Sequence, residues 1–507
     1  MNPSRPQNPF LLVLLTVGLL AGLSWLQPSL TVGGVALRPV RLLADVLRPA
    51  PTAVASLAPP PPAGPEATRV QPGAAAPQAD TTAAPSRVAS PVVPNLGGLA
   101  SFIAALRQTR ATGSQTRIAY FGDSMIEGDI LTSDLRNLLQ TEFGGTGVGF
   151  VPINSLTAEF RETIHQTFSP DWYEYNLVSE RRPANCPLGI SGHSFMPREV
   201  APADSTGVIP DTSWVQFRAG QQFARLRRFT EARLFYGPGS GRDQVLVTTD
   251  GHRMAHPLAP GGPLNELVLR PATSYQRMRL AFAAHGPRPV YGVSFESLEG
   301  VVLDNFSFRG NSGMTLMRIP PAQLAAFGKA LDYRLVILHY GVNIADTRNK
   351  NYVFYEQAMQ PVVERMKRAF PNASILVVSM SDKSIRREGE FVTDPTVPLL
   401  VAAQQRLAKR THAAFWNLFA AMGGENSMTS WVEQSPPLGR KDYMHITSLG
   451  GQRIAQQLYA YFLAEYAHLT PAAEPDSSTA SAASGQPAPH SSRPSRLARP
   501  DSVGGQQ

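Results

Sequence analysis

Hydrophobic positions change their period along this chain, and the changes mark out its parts. Leu96–Gln108 places Leu99, Phe102, Ile103 and Leu106 at helical spacing. Thr116–Phe121 is a short apolar run that reads as a buried strand, and it runs into Gly122-Asp123-Ser124. Ile130–Glu142 follows as a helix with Leu131, Leu135, Leu138 and Leu139 on one side. Leu335–Tyr340 and Ser374–Ser379 are two more buried-strand candidates, and amphipathic helices are expected near 352–369, 396–410 and 449–466. Strands that alternate with helices in this way predict a parallel sheet covered on both faces, an α/β/α domain.

Between about 165 and 300 the pattern differs. Short alternating runs such as Trp214–Arg218, Ala232–Tyr236, Gln244–Thr248, Glu266–Leu269 and Arg277–Phe282 are divided by Gly and Pro turns. Helical spacing is hard to find there. This predicts an antiparallel β-sandwich inserted into the α/β domain. The expected division is 96–164 and 301–468 for the α/β domain, with 165–300 as the insertion.

The ends read differently again. Phe10–Leu26 is an uncharged apolar run preceded by Arg5. It lies at the short end of a bilayer span. Residues 1–27 read as a membrane anchor or a signal segment, and because no strong small-residue cleavage site follows, an uncleaved anchor is the preferred reading. The expected location is outside the cytoplasm, in the periplasm or cell envelope. Residues 28–95 form a Pro/Ala-rich linker, including Pro59–Pro62, and 469–507 a Ser/Ala/Pro/Gly-rich disordered tail.

Composition narrows the partners. The 46 Lys and Arg residues outnumber the 38 Asp and Glu by eight, but they are scattered, so no nucleic-acid groove is expected. Cys186 is the single cysteine, which excludes an intrachain disulfide and a thiolate metal cluster.

The chemistry centres on Gly122-Asp123-Ser124, at a strand end just before a helix. Free backbone N–H groups there favour developing negative charge. A serine needs a base, and Asp442-Tyr443-Met444-His445 supplies a histidine with a carboxylate three residues away. His445 would take the Ser124 proton, and Asp442 would orient the imidazole. Other features keep two readings. Trp172, Tyr173 and Tyr175 stack on sugars or pack under the insertion. Glu127 and Asp129 are a metal pair or helix-start acids. His339 reads as structural.

Four ordered blocks now stand out: Phe121-Gly122-Asp123-Ser124, Gly310–Thr315, Tyr340-Gly341-Val342-Asn343 and Asp442–His445. Together they resemble the SGNH/GDSL hydrolases. The stretch from Gly122 to Pro152 is similar to the peptidoglycan O-acetylesterase branch, whose members carry a carbohydrate-binding-module-like β-sandwich between the first two blocks. The resemblance implies a flavodoxin-like three-layer domain. It implies an oxyanion hole of Ser124 N–H, Gly313 N–H and the Asn343 side chain. It also implies a serine esterase that needs no cofactor or metal and acts on an acetylated polysaccharide. One departure is Ile344, which stands where many members have Asp. Two alternatives stay open: an O-acyltransferase using the same triad, and a non-catalytic glycan-binding protein.

Overall fold

The computed structural model describes residues 98–199, 213–346, 348–349 and 351–469, together with a two-residue pairing of Thr31–Val32 with Val35–Ala36. The anchor expected at 10–26, most of the linker expected at 28–95 and the tail expected beyond 469 lie outside the described residues. Among the described residues, no helix is long and apolar enough to cross a membrane.

Five parallel strands form the central sheet. They are β1 (Gln115–Gly122), β2 (Gly300–Ser307), β3 (Tyr333–His339), β4 (Ser374–Val378) and β5 (Ala414–Trp416), in the spatial order β2-β1-β3-β4-β5. This is the flavodoxin-like order, and its topological switch point lies between β1 and β3. Side chains on a strand alternate between faces. Accordingly Ala119, Phe121, Val336 and Leu338 enter one buried cluster, while Ile118, Tyr120, Leu335 and Ile337 enter the other. The first cluster is completed by the helices Pro321–Leu331, Val353–Ala369 and Thr396–Arg410, through residues such as Phe327, Met359 and Leu400. The second is completed by Ala100–Thr112, Thr132–Phe143 and Ser448–His468, through Phe102, Leu135 and Leu458. The architecture is therefore α/β/α.

A β-domain of two antiparallel sheets, one of five strands and one of six, occupies the chain between β1 and β2. Its own core contains Phe195, Phe217, Leu234, Val245, Leu280 and Phe295. The six-stranded sheet also takes Gly149–Val151, which pairs with Val290–Glu296.

The β-domain and the central sheet share a buried ion network. Arg117 on β1 donates to Asp304 on β2 at 2.7 Å and to Glu296 of the β-domain at 2.5 Å. Tyr333 at the start of β3 donates to the same Asp304. Burial alone would raise the Glu296 carboxyl, but Arg117 and Arg233 bring it down to about 2. An ion network this buried strongly resists the loss of one partner.

Candidate active site

The site forms where β1 and β3 end, at the switch point. β1 stops at Gly122 because the chain must pass close to its neighbours there. A Cβ on Gly122 would lie 2.9 Å from the Ile126 side chain and 3.1 Å from the His339 carbonyl. Asp123 then caps a short 3-10 turn, Ser124–Asp129, by accepting from Met125 N–H at 3.0 Å. This puts Ser124 at the first position of the turn, half-buried.

The partner comes from the other end of the chain. Ser124 Oγ lies 2.9 Å from His445 Nε2, and His445 Nδ1 lies 2.8 Å from Asp442 Oδ2. Asp442 Oδ1 also accepts from the backbone N–H groups of His445 at 2.9 Å and Met444 at 3.0 Å. Partial burial opposes ionisation of Asp442, yet these bonds from His445 and Met444 outweigh it and hold the carboxyl below its usual range. An ionised Asp442 acceptor requires His445 to carry its proton on Nδ1, which leaves Nε2 free to accept from the serine. The turn that allows this carries Tyr443 at φ 55°, in the left-handed region. The structure thus brings Ser124, His445 and Asp442 into one linear relay.

Asn343 and Gly313 lie beside it. Asn343 follows β3 and donates from Nδ2 to Asp123 Oδ2 at 3.1 Å and to the Asn311 carbonyl at 3.1 Å. Gly313, at φ 87°, has no room for a Cβ, which would meet the Tyr340 ring at 2.8 Å. Its N–H donates to Asn311 Oδ1 at 2.8 Å. An incoming carbonyl oxygen would therefore compete with Asn311 for the Gly313 N–H, and with Asn311 and Asp123 for the Asn343 amide. Asp123 and Asn311 were given no separate role by sequence reasoning. The signal for Asp123 was its place directly before Ser124 at a strand end, where a short acidic side chain can cap the next turn; for Asn311 it was the Asn-x-Gly spacing that favours an Asx turn. Burial pushes the Asp123 carboxyl up to about 7, against the opposing effects of the Met125 N–H bond, His445 and Asn343.

The remaining candidates fall elsewhere. Glu127 pairs with Arg309, and buried Asp129 with Arg136 and Arg161, so guanidinium groups occupy both carboxylates. Among the described residues, no group of three or more His, Cys, Asp or Glu is placed to hold a metal ion. His339 is buried against Tyr120 OH at 3.1 Å, and burial brings it down to about 4. Trp172 packs on Phe282 in the β-domain, whereas Tyr173 is exposed. Cys186 is buried, and burial raises its thiol.

One element had no signal in the hydrophobic pattern. Ser384–Arg387 and Glu390–Thr393 form an isolated antiparallel ribbon. Ser384 N–H donates to the Tyr443 carbonyl at 2.9 Å. Phe391 stacks on the Tyr443 ring, with centroids 3.6 Å apart and planes 7° from parallel. The ribbon therefore braces the turn that carries His445.

A five-stranded parallel sheet in this order, with a serine at its switch point, is the fold found in SGNH/GDSL hydrolases, and here a β-domain is inserted into its first crossover. A solved peptidoglycan O-acetylesterase has the same fold: it is 19% identical, the match covers 74% of this chain and 99% of that one, and the TM-score is 0.58. A family two carbohydrate esterase from Clostridium thermocellum, solved with cellohexaose, also matches, at 12% identity over 51% of this chain and 93% of that one, with a TM-score of 0.25. No protein-family model and no curated protein sequence matches the chain.

Proposed function

We propose that this protein is an extracytoplasmic serine esterase that removes O-acetyl groups from a cell-envelope polysaccharide. The observation that carries the reading is the unbroken relay from Ser124 Oγ through the His445 ring to Asp442, at 2.9 and 2.8 Å. Ser124 Oγ attacks the acetyl carbonyl carbon while its proton passes to His445 Nε2. Asp442 stabilises the resulting imidazolium. The C–O bond to the sugar then breaks, and His445 returns the proton to the departing sugar oxygen. This leaves an acetyl-enzyme. Water, deprotonated by His445, attacks that ester and releases acetate, and Ser124 regains its proton. Ser124 N–H, Gly313 N–H and Asn343 Nδ2 are the donors assigned to the oxyanion in both steps. No residue in this scheme calls for a cofactor or metal.

The acetyl and polysaccharide parts of the proposal draw on the fold shared with the peptidoglycan O-acetylesterase and on the β-domain. The location draws on Phe10–Leu26, read as an anchor that leaves the catalytic residues outside the membrane. Transfer of the acetyl group to a sugar hydroxyl instead of water uses the same intermediate.

The test is acetate release from acetylated peptidoglycan and acetylated xylan by the full chain, beside Ser124→Ala. The variant is expected to lose at least about 10³-fold in turnover. Equal release by the two proteins would overturn the serine mechanism. Acetyl groups appearing on an added glycan, without free acetate, would establish transfer. Glycan binding without turnover of any ester would establish the binding-protein reading.

A further inference from the structure

Beside the relay lies a cavity of about 540 Å³, lined in part by Asn343 and Ser312. It adjoins the place where the ester carbonyl would sit, but it is far larger than an acetyl group needs. Its size falls within the range of about 300–1,000 Å³ typical of small-ligand sites. The rest of its wall comes from Met314, from the segment after Asn343 and from the base of the 384–393 ribbon.

Each charged group in this wall has an ion-pair partner, in the wall or just outside it. Lys383 Nζ lies 3.2 Å from Asp394 Oδ2, and Asp394 is buried. Asp346 accepts from Arg348 Nε at 3.0 Å. An ionic ligand would therefore find no unmatched charge among the described lining residues. What remains available is of two kinds. Phe354 presents an apolar ring that is 43% exposed. Asp346 and Asn349 present polar groups beside it. A pyranose has matching faces: C–H groups that lie against an aromatic ring, and hydroxyls at its edge that donate to a carboxylate.

We propose that this cavity is a glycan subsite. It seats the neutral pyranose next to the acetylated one, with its C–H face on Phe354 and its hydroxyls on Asp346, and the ribbon sets which chains enter. The proposal rests on the esterase reading and assigns to that site its grip on the polymer. Because the same ribbon braces Tyr443, a sugar held against Ile385 and Lys383 also bears on the turn that carries His445.

The full chain and its Phe354→Ala and Asp346→Asn variants would be assayed on two substrates, acetylated xylo-oligosaccharide and 4-nitrophenyl acetate. The quantity read is the ratio of kcat/KM on the oligosaccharide to kcat/KM on the aryl ester. A general loss of folding or of the relay lowers both values and leaves the ratio in place. The ratio is expected to fall about tenfold in Phe354→Ala and about fivefold in Asp346→Asn, chiefly through KM for the oligosaccharide. A ratio unchanged in both variants overturns the subsite, because the glycan then lies elsewhere. Improved turnover of 4-nitrophenyl octanoate by Phe354→Ala also overturns it, because the cavity then serves the acyl chain. If the unaltered protein shows no Ser124-dependent hydrolysis of either substrate, the esterase reading fails as well. Ser124-dependent hydrolysis with an unchanged ratio overturns the subsite alone.

Discussion

Ser124 and His445 meet at 2.9 Å, but different forces bring them there. The serine stands on the core. Its turn starts at the end of a central strand, beside Asp123 at 1% exposure, and it ends at Asp129, which is buried with Arg136, Arg161 and Asn305 around it. The histidine stands near the surface. Its side chain is 33% exposed and that of Asp442 50%. Their turn is held by bonds within 440–446, such as Arg440 N–H to the His445 carbonyl at 2.8 Å, and by the ribbon through Tyr443. The serine's position is thus a consequence of folding, whereas the histidine's position is set by a local brace. A change on the first side should cost stability. A change on the second should cost activity while the fold stays intact.

The strongest way to break this contrast is Asp129→Ala. Burial opposes ionisation of Asp129, but Arg136 and Arg161 hold it well below the usual carboxylate range. Without it both guanidinium groups lose a buried partner. Denaturant unfolding should show a loss of about 3–5 kcal/mol. A loss below about 1 kcal/mol would mean that the turn carrying Ser124 is not tied to the core.

Next in size is Asn343→Ala, which removes one proposed oxyanion donor from a residue at the surface. Turnover of 4-nitrophenyl acetate should fall about 10²–10³-fold. The midpoint of thermal unfolding should move little, because Asn343 is exposed. Unchanged turnover would remove Asn343 from the oxyanion hole.

A pH series sharpens the same contrast on the serine side. The Asp123 carboxyl is raised from 3.8 to about 7 in the folded protein. Between those values the folded state holds a proton that the unfolded state has released. Its stabilising contribution is therefore complete below pH 4 and is lost as pH rises through 7. The unaltered protein should lose stability across that window relative to Asp123→Asn, measured as unfolding midpoints at matched pH. Parallel curves for the two proteins would show that burial does not shift this group.

Much of this arrangement was legible in the chain. The strands β1, β3 and β4 each contain a short apolar stretch, Ile118–Phe121, Leu335–Leu338 and Ile375–Val378, and the relay residues sit in short motifs whose order carries information. β2 was not legible, although it pairs with β1 along its whole length. Its sequence, Gly300–Ser307, contains Asp304 and Asn305, which argue against a buried strand until their partners are known. Those partners, Arg117 for Asp304 and Asp129 for Asn305, are far away in sequence. The ribbon escaped notice for another reason. It has no buried face of its own and is held by side-chain bonds, such as Thr429 Oγ1 to the Phe391 carbonyl at 3.1 Å. Periodicity reports burial, so an element held by hydrogen bonds and one ring stack leaves little trace in it.

The smallest effect probes that ribbon. Phe391→Ala removes the ring stacked on Tyr443 but leaves the Ser384 N–H bond to the Tyr443 carbonyl in place. Phe391 is only half-buried, so the cost in stability should stay near the 0.5–1.5 kcal/mol of an aromatic pair, about 1 kcal/mol. The turn would then sample positions in which His445 is away from Ser124. Small displacements of a reacting group lower turnover strongly, and a partial population of the aligned state should reduce kcat about fivefold. Phe391→Leu should recover part of this by filling the same space. The measurement is kcat on 4-nitrophenyl acetate beside the unfolding midpoint for both variants. A fall in kcat larger than the fall in folded fraction keeps the two sides of the site distinct. Loss of stability with kcat per folded molecule unchanged would make the ribbon part of the scaffold, and the histidine would then depend on the fold as the serine does.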